Sequence, residues 1–367
     1  MVAASTSPLL DLDVHLSEDD LRDALVRDVA AGLGGARKSL PPKWFYDEVG
    51  SKLFEEITEL PEYYQTRAER TLLELHAAEI ASLTRSDTLV ELGAGSCEKT
   101  RLLLDALSRE GELRRYVPFD VSARFLQESA ASIAREYHGL QVHAVVGDFS
   151  CHLGTIPSDG TRVVAFLGGT IGNLMPAQRR AFLAALRDSM KPSDHLLLGT
   201  DLLKDVSKIV AAYDDASQVT ARFNRNVLSV VNRELDADFV PERFDHVVRW
   251  DPFAHWIEMR LRSDRDQLVH VDALGLVVHF ADGEDLLTEI SAKFTPSGIA
   301  AELGHAGFVV ERQWGADEGE FLLTLAHPDA VGEGIHDPGT GGFPKDAGAQ
   351  PARRRGRPPR PGRPPGS

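Results

Sequence analysis

Short apolar runs alternate with amphipathic segments between residues 67 and 201 of the chain. The runs predict strands at residues 89–92, 116–119, 142–146, 163–167 and 196–199, and the segments between them repeat apolar side chains at helical intervals. This alternation is typical of a mainly parallel sheet covered by helices on both faces. Because ligands in such sheets bind beyond the carboxyl ends of the strands, the pattern predicts an α/β fold with a crevice at one sheet edge.

Capping patterns predict three helices before the first of these strands. Ser17 precedes one helix, Ser51 precedes a short helix over residues 53–58, and Thr66 with Glu69 forms a capping box that opens a long helix. Prolines and aromatic residues crowd the stretch between the first two helices. We therefore expect irregular backbone there.

The pattern of apolar and polar positions changes after residue 201. Helices are predicted at residues 203–220 and 223–234, and residues 246–280 alternate polar and apolar positions as antiparallel strands do. A further helix around Ile299 then leads to a closing hairpin formed by residues 308–310 and 321–325. We interpret the region after residue 201 as a domain inserted into the α/β fold.

The pattern thus predicts two domains and two flexible ends. The predicted parts are a flexible N-terminus (1–15), the N-terminal part of a second α+β domain (16–66), the α/β domain (67–201), the inserted part of the second domain (202–293), the C-terminal part of the α/β domain (294–328) and a disordered tail rich in Gly, Pro and Arg (329–367).

Composition limits the function classes. The chain has 367 residues, of which 43% are hydrophobic and 26% charged, and it has neither a long apolar run nor a secretion signal. We therefore predict a cytoplasmic protein without membrane partners. Cys97 and Cys151 form no C-x-x-C pair, and the histidines lack metal-binding spacing, so no metal site is predicted.

The charge is distributed unevenly. The formal net charge is −16, and the tail of residues 329–367 carries seven Lys or Arg against four acidic residues, which leaves −19 on the remainder. A body this negative repels nucleic acid, so a small molecule is the expected partner. The tail contains Arg-Gly-Arg-Pro at residues 355–358, which resembles the core of a minor-groove-binding motif. A nucleic-acid-binding protein acting through this tail is one alternative, although we interpret the tail as solvating.

A glycine-rich loop follows the first predicted strand of the α/β domain. It contains Gly93 and Gly95, where the absence of side chains lets a ligand approach the backbone amides. A dinucleotide-binding loop would place a third glycine near position 98, but Glu98 stands there and would repel a pyrophosphate. The loop favours S-adenosylmethionine (SAM), whose sulfonium and amino acid groups tolerate an acid, over the alternative of an NAD-dependent dehydrogenase.

Polar residues end the next strands. Asp120 is placed to accept hydrogen bonds from ribose hydroxyls, and Asp148 with Phe149 suits an adenine ring and its exocyclic amine. Gly168 opens a turn that would expose carbonyl groups and the amide of Asn173 at the crevice, where they suit an amine held beside a sulfonium. These residues predict a methyl-transfer site.

With these motifs in place, the chain resembles the histidine Nα-methyltransferases of ergothioneine biosynthesis from about residue 16 to residue 327. The resemblance extends beyond the generic loop to specific motifs at residues 38–47 (KSLPPKWFYD), 60–64 (LPEYY), 166–173 (FLGGTIGN), 213–215 (YDD), 223–226 (FNRN) and 287–294 (LTEISAKF). It implies a Rossmann-like class I methyltransferase domain with a second, substrate-binding domain, and trimethylation of the α-amine of L-histidine to hercynine.

The resemblance also implies roles for individual residues. The methyl donor SAM would contact Tyr46, Gly93, Lys99, Asp120, Asp148 and Phe149. Histidine would contact Tyr63, Gly168, Asn173, Tyr213, Met259, Glu289 and Ser291, with Glu289 and Ser291 at the imidazole and with Asn173 and Tyr213 at the carboxylate and amine. Tyr46 and Asn173 would be the catalytic residues, no metal would take part, and we expect a monomer. A different amino acid or small amine as the substrate is the alternative within methyltransferases.

Overall fold

A computed structural model describes residues 10–95, 97–316 and 319–329 of the protein. These residues form an eight-stranded sheet and a four-stranded sheet, with helices packed against them. The elements up to the end of the parallel strands are β1 (Leu10–Val14), α1 (Glu18–Leu33), β2 (Lys38–Ser39), α2 (Glu48–Thr58), α3 (Tyr64–Thr84), β3 (Thr88–Leu92), α4 (Thr100–Glu110), β4 (Arg115–Asp120), α5 (Ala123–Glu136), β5 (Gln141–Val146), β6 (Arg162–Phe166), α6 (Pro176–Ser189) and β7 (His195–Asp201). The later elements are α7 (Val206–Tyr213), α8 (Val219–Leu235), β8 (Phe244–Asp251), β9 (Trp256–Ser263), β10 (Gln267–Val271), β11 (Leu276–Phe280), β12 (Asp285–Ala292), α9 (Pro296–His305), β13 (Phe308–Gly315) and β14 (Phe321–Pro328).

The larger sheet confirms the predicted strand pattern. Its order is β1-β5-β4-β3-β6-β7-β14-β13, with the first six strands parallel and the closing β13–β14 hairpin antiparallel. β3 lies inside the sheet and all of its residues are buried. Leu92 at its end lies in register with Phe119 on one side and Phe166 on the other. The turns that follow these strands therefore meet at one edge of the sheet.

The smaller sheet has the order β2-β12-β9-β8, and β10 and β11 form a separate hairpin. Helix α8 packs on this sheet, and its buried residues join those of α1, α2 and α7 in one apolar core. Residues 203–220 do not form the single helix that the sequence predicts. Helix α7 ends at Tyr213, and the buried carboxylate of Asp215 accepts hydrogen bonds from the amides of Val219 (2.9 Å) and Thr220 (2.8 Å) at the start of α8.

Two of the three predicted helix caps are wrong. Ser17 does cap α1 through a reciprocal pair of hydrogen bonds with Asp20. The cap of α2 is Asp47, which accepts from the amide of Gly50 at 2.8 Å, so the helix begins before Ser51. The long helix α3 begins at Tyr64 without a side-chain cap, so Thr66 and Glu69 do not form the predicted capping box.

The segment predicted as a flexible N-terminus contains strand β1, so that part of the prediction is wrong. β1 pairs in parallel with β5 at the edge of the large sheet, and its exposed alternating Leu and Asp residues carry too weak an apolar signal to mark a strand. Both sheets belong to one compact unit. Residues 1–9 and 330–367, including the Arg-Gly-Arg-Pro motif at 355–358, lie outside the described residues. Among the described helices, none is both long and apolar enough to cross a membrane.

Candidate active site

The glycine loop presents bare backbone at the carboxyl end of β3. Gly93 and Gly95 have φ values of +72° and +52°, and a β-carbon built at either position would meet no other atom within 4 Å. Glu98 is exposed in the turn before α4. Because both glycines adopt the left-handed conformation beside open space, the loop forms a cradle that side chains would fill.

A cluster of buried hydrogen bonds lies next to this loop, between β3, β4 and the start of α4. The carboxylate of Glu91 accepts from Thr100 Oγ1 at 2.6 and 2.7 Å and from the hydroxyl of Tyr116 at 2.6 Å. Burial raises the pKa of Glu91 to about 7, although both hydroxyl groups oppose that shift. The cluster ties strand β3 to the start of α4 and thereby fixes the two ends of the loop.

The two predicted nucleoside-binding acids lie at the ends of β4 and β5. Asp120 accepts from the amides of Ser122 (3.0 Å) and Gly95 (3.4 Å), and burial raises its pKa. For Asp148 burial acts in the same direction, but hydrogen bonds from Ser150 and the nearby Lys43 ammonium (3.6 Å) outweigh it and lower the pKa. Asp120 is thus bound directly to the glycine loop, as a ribose-binding acid would need to be.

Phe149 follows Asp148 and is half-buried. Its ring contacts Phe166 and Phe182 edge-on, with centroids 5.5 and 5.4 Å away. These contacts anchor the ring against the core of the large sheet. The arrangement supports the predicted apolar contact with a flat ligand ring.

Lys99 and Gly168, predicted to contact different ligands, are joined by Glu69 of α3. The Glu69 carboxylate is fully buried, pairs with the Lys99 ammonium and accepts from the amide of Gly168 at 2.8 and 3.0 Å. Gly199 of β7 leaves room for it, since a β-carbon there would lie 2.2 Å from Glu69 Oε1. Sequence reasoning missed this role because Glu69 fitted a capping pattern.

Eight predicted residues line one pocket between the two sheets. They are Tyr46, Tyr63, Gly168, Asn173, Tyr213, Met259, Glu289 and Ser291. The remaining predicted residues, Gly93, Lys99, Asp120, Asp148 and Phe149, lie at the sheet edge described above and do not line this pocket. The structure therefore separates the predicted residues into the same two groups as the sequence did, apart from Tyr46, which was predicted to contact the methyl donor and lines this pocket.

Strand β12 supplies two polar groups to this pocket. Glu289 and Ser291 are two residues apart, so their side chains project from the same face of the strand, and Met259 of β9 pairs with Glu289. Burial raises the pKa of Glu289 to about 8, with Lys293 acting in the opposite direction. Within the described part of the chain, the Glu289 carboxylate accepts no hydrogen bond. A buried acceptor of this kind is available for a ligand N–H group.

A buried lysine lies behind these two groups. The ammonium of Lys293 is fully buried, 2.8 Å from the Asp201 carboxylate and 2.9 Å from both the Tyr213 hydroxyl and Ser291 Oγ. Lys293 belongs to the motif at residues 287–294, but no role was predicted for it from the sequence. The signal was the period of two along β12, which places residues 289 and 291 on one face and, continued one residue past the end of the strand, includes residue 293.

Asp201 is held from its other side as well. Its carboxylate accepts from the Tyr64 hydroxyl at 2.9 and 3.0 Å and pairs with Lys204. Burial lowers the pKa of Lys204 to about 8, although Asp201 opposes that shift. Asp201 is therefore a buried carboxylate shared by two lysines, of which only Lys293 reaches the polar groups of the pocket.

Aromatic rings form another wall of the pocket. The ring of Tyr46 lies 5.5 Å from Phe54 and 5.6 Å from Phe223, and Tyr63 lies 6.1 Å from Phe54 and 6.5 Å from Tyr213. Burial raises the pKa values of Tyr46 and Tyr63 above their usual range, so both phenols stay protonated. The wall is therefore uncharged and rich in ring faces. Among the described residues, no cluster of His, Cys, Asp or Glu is placed to hold a metal ion.

Comparison with known proteins finds similar sequences and structures. The chain is 56% identical to a histidine N-alpha-methyltransferase of Mycobacterium tuberculosis, over 85% of this chain and 97% of that protein, and 55% identical to one of Mycolicibacterium smegmatis, over 86% and 99%. It is 32% identical to the ergothioneine biosynthesis protein 1 of Neurospora crassa over 53% of this chain and 23% of that protein. Among solved structures, the CcbJ methyltransferase from Streptomyces caelestis matches with 12% identity and a TM-score of 0.41, over 70% of this chain and 95% of that one.

The larger sheet, parallel with an antiparallel closing hairpin, has the class I methyltransferase arrangement that the sequence predicted. Residues 25–328 match a family described as "Histidine-specific methyltransferase, SAM-dependent". The match spans every predicted site residue and all strands of both sheets except β1. The chain is therefore a member of the family of histidine-specific, SAM-dependent methyltransferases.

Proposed function

We propose that the protein transfers three methyl groups from SAM to the α-amine of L-histidine, which gives hercynine, and that this reaction is an early step of ergothioneine biosynthesis. The observation that carries the proposal is the buried, unpaired carboxyl group of Glu289, near the hydroxyl of Ser291, in the pocket between the two sheets. An imidazole ring supplies the N–H group that Glu289 lacks. An apolar ring of another amino acid would leave the carboxylate unpaired at a cost of about 1–3 kcal/mol.

The other pocket residues suit the amino acid end of histidine. Asn173 offers an amide toward the α-carboxylate and α-amine, and the hydroxyl oxygen of Tyr213, whose hydrogen goes to Ser291, offers an acceptor to the α-amine. The backbone at Gly168 adopts a left-handed conformation (φ +74°) that opens it toward the pocket. These residues hold and orient the amine. Positioning of this kind lowers the barrier because two reactants are fixed in line before they react.

The residues at the sheet edge fit SAM. Gly93 and Gly95 form a cradle open to a ligand backbone, and Asp120 is an acceptor for ribose hydroxyls that the loop itself holds in place. Asp148 and Phe149 would receive the adenine, and Lys99 would face the amino acid end of the donor through its link to Glu69. When bound, SAM supplies an electrophilic methyl group.

Trimethylation makes a further demand on the pocket. The amine loses its hydrogen-bond donors step by step and ends as a quaternary cation, which aromatic faces stabilise. Tyr46, Phe54 and Tyr63 offer such faces, and their neutral state allows them to accept a cation without a counter-ion. We assign the wall formed by Tyr46 and its aromatic neighbours to this end of the substrate, and Asn173 to the amine itself.

The proposal is tested by incubating purified protein with SAM and each of the twenty amino acids separately, followed by mass spectrometry. We expect histidine alone to gain three methyl groups. Preferential methylation of tryptophan or tyrosine would refute the assignment of Glu289 to an imidazole. We further propose that the protein acts as a cytoplasmic monomer and needs no metal ion. Size-exclusion chromatography tests the oligomeric state, and an assay with a chelator tests the metal requirement.

A further inference from the structure

Lys293 determines which way the hydroxyl group of Ser291 points. The Lys293 ammonium has three hydrogens and three partners: the carboxylate of Asp201 at 2.8 Å, and the hydroxyl oxygens of Tyr213 and Ser291 at 2.9 Å each. An ammonium group only donates, so both hydroxyl oxygens act as acceptors toward it. This uses one lone pair of each oxygen.

The hydrogen of Ser291 is then left for the pocket. Tyr213 donates its own hydrogen to Ser291 Oγ at 2.7 Å, so the serine oxygen accepts two hydrogen bonds. Among the described residues, the Ser291 hydroxyl has no acceptor for its hydrogen, and Ser291 lines the pocket. A serine alone either donates or accepts. In this arrangement it is restricted to donating toward the ligand.

Glu289 provides the opposite polarity two residues earlier on the same face of β12. When a ring N–H group of the ligand donates to it, Glu289 acts as the acceptor, and no other described residue donates to it. The pocket therefore offers one acceptor and one donor side by side. A neutral imidazole ring has the complementary pair, one N–H and one nitrogen lone pair, whereas an imidazolium ring has two N–H groups.

We propose that Lys293, held by Asp201, is a positioning residue that fixes Ser291 as a hydrogen-bond donor, so that the pocket recognises the imidazole ring in a single neutral tautomer. This inference rests on the proposed function. Asp201 keeps the lysine charged and in place, and the Tyr64 hydroxyl and Lys204 hold Asp201 from its other side. Ser291 then touches the ring, and Lys293 sets the direction of the Ser291 hydrogen bond without touching the ring.

The test uses two ring analogues, 3-(pyrrol-2-yl)alanine and 3-(pyrrol-3-yl)alanine. Each keeps one ring N–H and replaces the other ring nitrogen with C–H, so each deletes the lone pair that Ser291 would donate to. The measured quantity is the ratio of kcat/KM for histidine to that for the better analogue. It is determined for the wild type, Ser291→Ala, Lys293→Met and the matched control Lys204→Met, which removes the other lysine paired with Asp201.

We expect the wild type to favour histidine by about 10- to 100-fold, because a buried donor is left unpaired by the analogue. Ser291→Ala and Lys293→Met should both lower this ratio by about tenfold, whereas Lys204→Met should keep it even if its activity falls. An unchanged ratio in Lys293→Met, or an equal fall in Lys204→Met, would overturn the inference.

Lys293→Met leaves Asp201 with one lysine fewer, so this variant could fail to fold. The variant Lys293→Met/Asp201→Asn removes both buried charges together and carries the same expectation. The wild-type ratio is informative by itself, because a wild type that uses histidine and an analogue equally well contradicts the inference. A wild type that methylates no histidine refutes the proposed function instead, so the two failures are distinguishable.

Discussion

Replacing Glu289 with glutamine should weaken histidine binding and stabilise the folded protein at alkaline pH. The side chain keeps its size, and only the capacity to become a buried anion is lost. In the empty pocket no described residue donates to the carboxylate, and burial raises its pKa to about 8 from the model-peptide value of 4.5. A buried anion without a donor is a stability cost that the enzyme bears for its substrate.

The sign and size of the effect follow from proton linkage. Between pH 4.5 and about 8 the folded protein keeps a proton on Glu289 that the unfolded chain has lost. Stability from this group is therefore complete below pH 4.5 and is lost as the pH rises to about 8, at roughly 1.4 kcal/mol per pH unit and up to about 5 kcal/mol in total. Glu289→Gln lacks this loss, so its stability relative to the wild type should rise over the same range.

The assay is urea unfolding of the wild type and of Glu289→Gln at several pH values from 5 to 9. The difference in unfolding free energy should grow with pH and favour the variant above pH 7, while the KM for histidine rises by about 10- to 100-fold. Glu258→Gln is the matched control, because Glu258 is similarly buried on the adjacent strand but pairs with Arg260. It should leave the KM for histidine unchanged. A pH-independent difference for Glu289→Gln would refute the reasoning.

Four further predictions concern the rest of the site. Asp120→Asn should raise the KM for SAM by about tenfold and leave the KM for histidine unchanged. Steady-state kinetics with each substrate varied in turn measures both values. An equal rise in both would contradict the assignment of Asp120 to SAM. Glu69→Ala should destabilise the fold by about 3–5 kcal/mol by leaving Lys99 unpaired. Glu69→Gln should recover part of the activity, because its side-chain oxygen still accepts from the amide of Gly168. Equal losses of activity in the two variants would argue against the contact with Gly168. Tyr46→Ala should slow the third methyl transfer most, so that mono- and dimethylhistidine accumulate in a mass-spectrometric time course, and unchanged rates for all three transfers would contradict the aromatic wall. A chain ending at residue 328 should retain full activity, and an inactive truncation would contradict the interpretation of the tail as dispensable.

The strands and the two groups of site residues were predictable because their signals are local. β3 and the turn after it are a contiguous apolar run followed by Gly93 and Gly95, and the period of two along β12 is readable between Glu289 and Ser291. Resemblance to a family then assigned those residues to ligands. The structure places them as two groups, one at the edge of the large sheet and one lining the pocket between the sheets.

The missed features depend on contacts between residues distant in sequence. Glu69 reads as a helix cap in its own segment, and only the fold brings it to Gly168, 99 positions away. Asp201 is predicted only as a strand end, and the bridge between Leu202, after β7, and Phe294, after β12, places Lys293 against it. Buried ion pairs of this kind leave no periodic pattern, since each partner replaces a single apolar residue in an otherwise ordinary element. The helix break at Asp215 was missed for a related reason: its carboxylate acts on amides four and five residues later, where no standard cap pattern applies.

The most direct test of the account is a crystal structure of the protein with S-adenosylhomocysteine and L-histidine. We predict adenosine ribose at Asp120 beside the glycine loop, the imidazole N–H at Glu289 with the other ring nitrogen at Ser291, and the α-amine at Asn173. Histidine bound with its ring away from Glu289, or the nucleoside bound away from Gly93 and Gly95, would contradict the account.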